Sequence, residues 1–272
     1  MDYRTLYDLT GRVAVVTGGA GILGRQFCRA LAAFGAHVVV CDLEPAAADA
    51  VAEAVTAESG VAAIGVACDV GDAGAVDAMV ARVLDRFGRC DVLANNAATK
   101  TADLEAFFAN AEHYDLETWR SVMRVNLDGM FLVARAVGQA MIEAGNGGSI
   151  IQTSSIYGVV GADQRIYEGS EYLGVRISNP VVYSVSKAGV VGLTRHLATA
   201  WAPHRIRVNT LVPGGVRSGQ NDRFVASYSA RVPLGRMGTP EELPGTVVYL
   251  ASDASSYVTG QCLFVDGGLT AW

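Results

Sequence analysis

Cysteine is scarce in this chain: there are five, Cys28, Cys41, Cys68, Cys90 and Cys262, an odd number with no C-x-x-C pair. Scattered in this way they read as small buried hydrophobes, which argues against a disulfide framework or a sulfur-bound metal. The four histidines, His37, His113, His196 and His204, lack the spacing of a metal-binding helix, so no metal is expected. No apolar run approaches the ~18–20 residues of a membrane span. The opening residues lack the layout of a secretory signal, and the expected location is cytoplasmic. Basic residues are outnumbered, 21 against 27 acidic ones, giving a net charge of −6 and a pI near 5.2. That balance argues against nucleic acid or an anionic membrane as partner.

What the chain has in quantity is small apolar residues. Its 51% hydrophobic content and mean hydropathy of +0.28 suit buried parallel strands covered by Ala-rich helices. Short β-branched runs at 12–17, 36–41, 61–67, 91–94, 150–155, 206–211 and 261–265 predict strands. Helical patterns separate them, the longest over 116–144. A last helix is expected directly after Thr239-Pro240-Glu241-Glu242. Strands alternating with helices predict a doubly wound parallel α/β sheet of the Rossmann type. No repeat, low-complexity tract or linker divides the 272 residues, so one domain over 1–272 is expected.

Between the first strand and first helix lies Thr17-Gly18-Gly19-Ala20-Gly21-Ile22-Leu23-Gly24. Gly19-x-Gly21-x-x-Gly24 matches the dinucleotide fingerprint, in which glycines allow a tight turn and close backbone approach to a pyrophosphate at a helix N-terminus. The second strand ends at Asp42, followed by Leu43. An acidic residue about 20 positions past the glycines is placed to accept from the adenosine ribose hydroxyls and to repel the extra phosphate of NADP. NAD is therefore the expected cofactor, with NADP as the alternative.

Tyr183 and Lys187 are four apart in a helical pattern and share one face. A phenol titrates near ~10, and an ammonium held beside it favours the phenolate, bringing it toward the range of a useful acid/base.

Together these residues resemble the classical short-chain dehydrogenase/reductase family from about residue 8 to the end. The matching elements are the glycine turn, Asp69-Val70, Asn95-Asn96-Ala97, Asn126, Ser155, Tyr183-x-x-x-Lys187 and Pro213-Gly214. The resemblance implies a catalytic set. Tyr183 is the general acid/base, Lys187 lowers its pKa and holds the nicotinamide ribose, Ser155 hydrogen-bonds the substrate oxygen, and Asn126 holds a relay water. It places the cofactor against Gly18, Gly19, Gly21, Ile22, Leu23, Gly24, Asp42, Leu43, Asp69, Val70, Asn96, Ala97, Ala98, Tyr183, Lys187, Pro213, Gly214, Val216 and Ser218. Ser155 is preferred to Ser154 because it precedes Ile156-Tyr157-Gly158, and adjacent strand residues face opposite ways. It also implies a homotetramer, or a dimer.

The sequence departs from the family at Ala98, where a glycine is usual, and at Val216-Arg217-Ser218, where Ser218 replaces a threonine. The larger departure lies between Ser155 and Tyr183, which are 28 positions apart; relatives place them much closer. The extra chain over 159–180 is expected to wall the substrate pocket, with Tyr157, Arg165, Tyr167, Glu168 and Arg217 favouring a hydroxylated or anionic small molecule. The stretch 99–115 is expected to border the same mouth, and 217–238 to close over it. The strings Ser-Ser-Ile-Tyr-Gly and Ile-Tyr-Glu-Gly resemble a branch associated with sugar modification, including flagellin-glycan oxidoreductases. The function expected is NAD-dependent hydride transfer with a polar secondary alcohol or ketone of the sugar, polyol or hydroxy-acid class. The alternatives are an NADP-dependent 3-oxoacyl-thioester reductase and, from another class, a non-catalytic dinucleotide-binding regulator or scaffold.

Overall fold

The computed structural model describes residues 2–272. Valine-rich strands and amphipathic helices alternate along it. They are β1 (Val13–Thr17), α1 (Ile22–Ala33), β2 (His37–Asp42), α2 (Pro45–Ser59), β3 (Ala63–Ala67), α3 (Ala73–Phe87) and β4 (Val92–Asn95), then the short α4 (Leu104–Phe107) and α5 (Leu116–Met123). A π-helical turn, Arg124–Gly129, runs straight into α6 (Met130–Ala144), followed by β5 (Gly148–Thr153). The remainder is β6 (Glu171–Tyr172), β7 (Val175–Arg176), α7 (Val181–Trp201), β8 (Ile206–Pro213), α8 (Asp222–Ser229), α9 (Pro244–Ala251) and β9 (Cys262–Val265).

Seven strands form one parallel sheet in the order β3-β2-β1-β4-β5-β8-β9, as the alternation predicts. Both faces are covered. Ala14 and Val16 of β1 pack toward α1, α2 and α9, whereas Val13 and Val15 pack toward α3, α6 and α7, the period-2 alternation of a strand. Every residue of β1 is buried, so its composition reads as a continuous apolar run.

Four local expectations are corrected. The strand placed at 61–67 begins at Ala63, and the one placed at 150–155 spans Gly148–Thr153, leaving Ser154 and Ser155 beyond its end. The Pro240–Glu242 turn is a separate capped 3-10 turn, and α9 starts only at Pro244. The single helix over 116–144 is interrupted by the π turn, whose extra residue barely disturbs the hydrophobic periodicity. The stretch between Ser155 and Tyr183 also forms a two-stranded antiparallel hairpin, β6 with β7.

Chain order reverses between β1 and β4, the switch point where the carboxyl ends of parallel strands open a crevice. A hydrogen-bond net fixes those ends. The Thr17 hydroxyl donates to Asn95 Oδ1 (3.0 Å) and accepts from the Asn96 (2.8 Å) and Ala97 (3.1 Å) N–H groups. Asn95 Nδ2 donates to the Met130 carbonyl and to Gln152 Oε1, both at 2.9 Å. Among the described residues no helix is long and apolar enough to cross a membrane, no group of His, Cys, Asp and Glu could hold a metal, and the cysteines are all free.

Candidate active site

Two cavities open over the switch point. One, of about 720 Å³, runs along the glycine turn and the ends of β2 and β3. Of the residues expected to hold a dinucleotide, Gly18, Gly21, Ile22, Leu23, Asp42, Leu43, Asp69, Val70, Asn96, Ala97 and Ala98 line it. Gly19 and Gly24 lie behind it. A Cβ on Gly24 would stand 2.0 Å from the Gly18 carbonyl oxygen, so this glycine lets α1 close onto the turn. Gly18 has φ +62°, and a Cβ there would press on Ala97 Cα at 3.0 Å.

The Asp42 carboxylate is anchored at the far end by the Ala20 N–H (2.9 Å) and its neighbour Leu43 N–H (2.8 Å). A floor of glycine backbone leading to a fixed carboxylate fits a dinucleotide. Sequence reasoning missed Arg124, which lines the cleft and pairs with Asp69 at 3.0 Å. Burial works to raise the Asp69 carboxyl, but the Gly71 N–H and the Arg124 guanidinium prevail and hold it below its ordinary range.

The second cavity, of about 570 Å³, shares Ala98 and Thr99 with the first. Ser155, Tyr157, Tyr167, Tyr183, Gly214, Val216 and Ser218 line it. Ser155 and Tyr183 face each other. Burial pushes the Tyr183 phenol above its ordinary range, and the neighbouring Ser155 hydroxyl opposes that shift. Ser154 turns away and donates to the Lys187 carbonyl at 2.7 Å.

The direct pairing of Lys187 with Tyr183 inferred from their spacing is not what the side chains make. The fully enclosed Lys187 ammonium donates to the Thr153 carbonyl oxygen at 3.0 Å, and burial lowers its pKa to about 8. Spacing along a helix gives a shared face, but the strand end beside it supplies a nearer acceptor. Asn126, inside the π turn, has no exposed surface. Its Oδ1 accepts the Thr99 N–H at 2.8 Å while its Nδ2 has no protein partner. Lys187, Asn126 and Pro213 stand behind the cavity wall and do not line it.

Three substrate-side expectations are corrected. Arg165 is exposed and folds back onto Asp163, Glu168 is exposed, and Arg217 points outward while its backbone N–H bonds Gly238; none lines the cavity. A loop residue's direction is set by its partners, which spacing does not reveal. The actual wall is more aromatic than expected: Phe107, Phe108, Phe224 and Tyr228 join Tyr157 and Tyr167. The 99–115 stretch does border this mouth, through Phe107 and Phe108, and the Ser178 hydroxyl of the extra chain donates to the Phe108 carbonyl at 2.9 Å. Tyr167 packs on Phe224 with ring centroids 5.3 Å apart, joining the extra chain to α8. Burial raises the Tyr157, Tyr167 and Tyr228 phenols as well, so the wall presents un-ionised hydroxyls at neutral pH.

Comparison with known proteins accords with this geometry. A family model described as enoyl-(acyl carrier protein) reductase matches residues 18–270. The chain is similar to the 2,5-dichloro-2,5-cyclohexadiene-1,4-diol dehydrogenase of Sphingobium indicum, at 40% identity over 271 residues, 97% of this chain and 99% of that one. Among solved structures, it is similar to a gluconate 5-dehydrogenase from Burkholderia cenocepacia in complex with NADP and tartrate. There the TM-score is 0.86 at 33% identity, over 98% of each chain. An NAD+-bound xylitol dehydrogenase gives a TM-score of 0.84 at 30% identity, over 96% of this chain and 99% of that one.

Proposed function

The chain belongs to the short-chain dehydrogenase/reductase family, and on that premise we propose that it oxidises a ring or polyol secondary alcohol with NAD. It is an oxidoreductase of CH–OH groups that uses a nicotinamide dinucleotide. The observation that carries the finer reading is the facing pair Ser155 and Tyr183 on the wall of an aromatic cavity that joins the dinucleotide cleft at Ala98 and Thr99.

A nicotinamide dinucleotide held along the glycine turn and Asp42 would supply the hydride acceptor for oxidation and the donor for reduction. Tyr183 takes the proton of the substrate hydroxyl, and Ser155 hydrogen-bonds the same oxygen as charge develops on it. Lys187, whose ammonium donates to the Thr153 carbonyl, is the residue we assign to stabilising a Tyr183 phenolate and to holding the nicotinamide ribose. Asn126, with its unpartnered Nδ2, holds the relay water. Asp42 selects NAD, since its anchored carboxylate accepts from ribose hydroxyls and repels a 2′-phosphate. The 159–180 chain and the 217–238 segment form the substrate side of this single domain. The working form is a homotetramer, with the exposed Trp272 at a subunit contact.

Nicotinamide absorbance on purified protein tests this, with NAD and NADP offered in parallel against cyclic diols, polyols, hydroxy acids and 3-hydroxyacyl thioesters. Turnover of a diol, polyol or hydroxy acid with NAD is expected. Thioester turnover with NADP would replace the reading. Tyr183→Phe should abolish turnover while NADH still binds.

A further inference from the structure

Among the described residues lining the 570 Å³ cavity, Lys100 is the one that carries a charge. It follows the Ala98-Thr99 segment that both cavities share, yet it lines only the substrate side. Its ammonium lies 3.7 Å from the centre of the Tyr172 ring, on the β6–β7 hairpin. Among the described residues no carboxylate stands within ion-pair distance of it, although Arg4, Arg12, Arg29, Arg89, Arg124, Arg135, Arg165, Arg231 and Arg236 all have one. The bland alternative is a solvated surface lysine, since the residue is exposed. The aromatic seat argues against it. An ammonium over a ring face is held in place without being neutralised, because the ring supplies a quadrupole and no counter-charge.

We infer that Lys100, seated on Tyr172, is the specificity-determining residue for a carboxylate on the substrate, so that the alcohol oxidised is a hydroxy acid whose anionic end lies at the cavity rim. This rests on the reading of the cavity as the substrate site. The other lining groups are hydroxyls, amides and hydrocarbon, none of which repels an anion and none of which neutralises one. Among the described lining residues an anionic ligand therefore finds its formal counter-charge at Lys100, at the end of the cavity where the hairpin meets the 99–115 stretch. Ser155 and Tyr183 stay free for the alcohol. The dinucleotide's phosphates are the other possible source of negative charge, and the absence of Lys100 from the dinucleotide cleft assigns it to the substrate.

The inference also gives the extra chain a task. Tyr172 comes from the hairpin, and without it Lys100 would sweep through solvent with nothing to fix its head group.

The test is binding, kept separate from turnover. Cyclohexanecarboxylate and cyclohexanecarboxamide, equal in shape and different in charge, are titrated calorimetrically into NADH-saturated protein. Wild type should bind the carboxylate roughly tenfold more tightly than the amide, the scale of a charge-assisted contact. Lys100→Met should erase that preference, Lys100→Arg should retain most of it, and Tyr172→Leu should reduce it. NADH affinity should stay within about twofold in all three variants, which separates a substrate contact from a phosphate contact. No carboxylate preference in wild type, no detectable carboxylate binding, or a preference that survives Lys100→Met would overturn the inference. A preference that depends on Lys100 in a protein that turns over no secondary alcohol would uphold the carboxylate contact and sink the oxidation reading instead.

Discussion

The Asn126 side-chain oxygen accepts the Thr99 N–H at 2.8 Å, tying the π turn to the segment that divides the two cavities. Inserting one residue into a helix rotates the turns after it and frees local backbone groups, and such insertions cluster at functional sites. Here the device brings a polar side chain fully indoors. Its other end, Nδ2, is left without a protein partner. Asn126→Ala should therefore act twice. It strands a partly buried N–H, costing about 1–3 kcal/mol in denaturant unfolding. It also frees the Ala98–Thr99 segment, lowering kcat along with cofactor affinity. A variant with wild-type stability and turnover would show that the bond is incidental.

The proposed selection of NAD by Asp42 calls for a conservative variant, because both carboxylate oxygens accept backbone N–H groups. Asp42→Asn keeps an acceptor and removes the charge. The ratio of kcat/KM for NADP to that for NAD should rise roughly tenfold or more, about 1.4 kcal/mol, with about 1–3 kcal/mol of stability lost at the backbone N–H for which the Asn NH2 is no acceptor. An unchanged ratio would move the selectivity elsewhere in the cleft, Arg124 and Leu43 being the nearest candidates.

Much of this was legible in the residues, and the remainder has identifiable causes. The glycine turn, Asp42 and Asp69-Val70 are local patterns at strand ends, so their gathering along one cleft follows from the parallel sheet itself. Ser155 and Tyr183 meet for the same reason, since β5 and α7 are neighbours in the fold. Arg124 was invisible because its partner Asp69 is 55 positions away and no sequence pattern links them. Arg165 looked like a pocket residue, but a carboxylate two positions earlier claims its guanidinium. Phe224 and Tyr228 sit on α8 and become cavity wall only through contacts with the extra chain; the aromatic spacing alone reads equally well as core.

Lys187 gives the clearest pH signature. Its pKa in the folded protein is about 8, below the ordinary 10.5, because burial disfavours the charged form. Below pH 8 both folded and unfolded chains hold the proton, and the penalty for enclosing the charge is present in full. Between about 8 and 10.5 the folded chain has released the proton while the unfolded chain retains it, so stability gains up to about 1.4 kcal/mol per pH unit. Buried thiols work the other way: Cys28 and Cys90 have raised pKa values and cost stability as the unfolded chain ionises above pH 9. The measurement is therefore the difference between wild type and Lys187→Met in urea unfolding from pH 7 to 10. That difference should move in favour of wild type above pH 8. A flat difference would mean that the ammonium is not penalised by its site.

Asp163 joins three parts of the substrate side. Its carboxylate accepts from Arg165 (2.8 Å to each of Nε and Nη2) and from Arg231 just beyond α8. The Trp272 indole N–H in turn donates to the Arg231 carbonyl at 3.3 Å. The Arg165 hydrogen bond first, and then the charges of Arg165 and Arg231, hold the Asp163 carboxyl well below the usual carboxylate range. A depressed carboxyl contributes its attraction above the ordinary value near 3.8 and loses it only as pH falls through the lower one, so this strap holds through the neutral range. The ion pair is open to solvent, and its effect belongs to the position of the 217–238 segment more than to global stability. Asp163→Asn should speed amide exchange over 221–232 and raise KM several-fold, with the melting temperature nearly unchanged, as expected of a loosened closing segment. Because Asn keeps an acceptor for the Arg165 N–H, the local turn survives, while the guanidinium contacts of Arg165 and Arg231 are weakened together. Unaltered exchange and KM would mean that Phe224 and Tyr228, packed on Tyr167 and each other, hold α8 down without help from the strap.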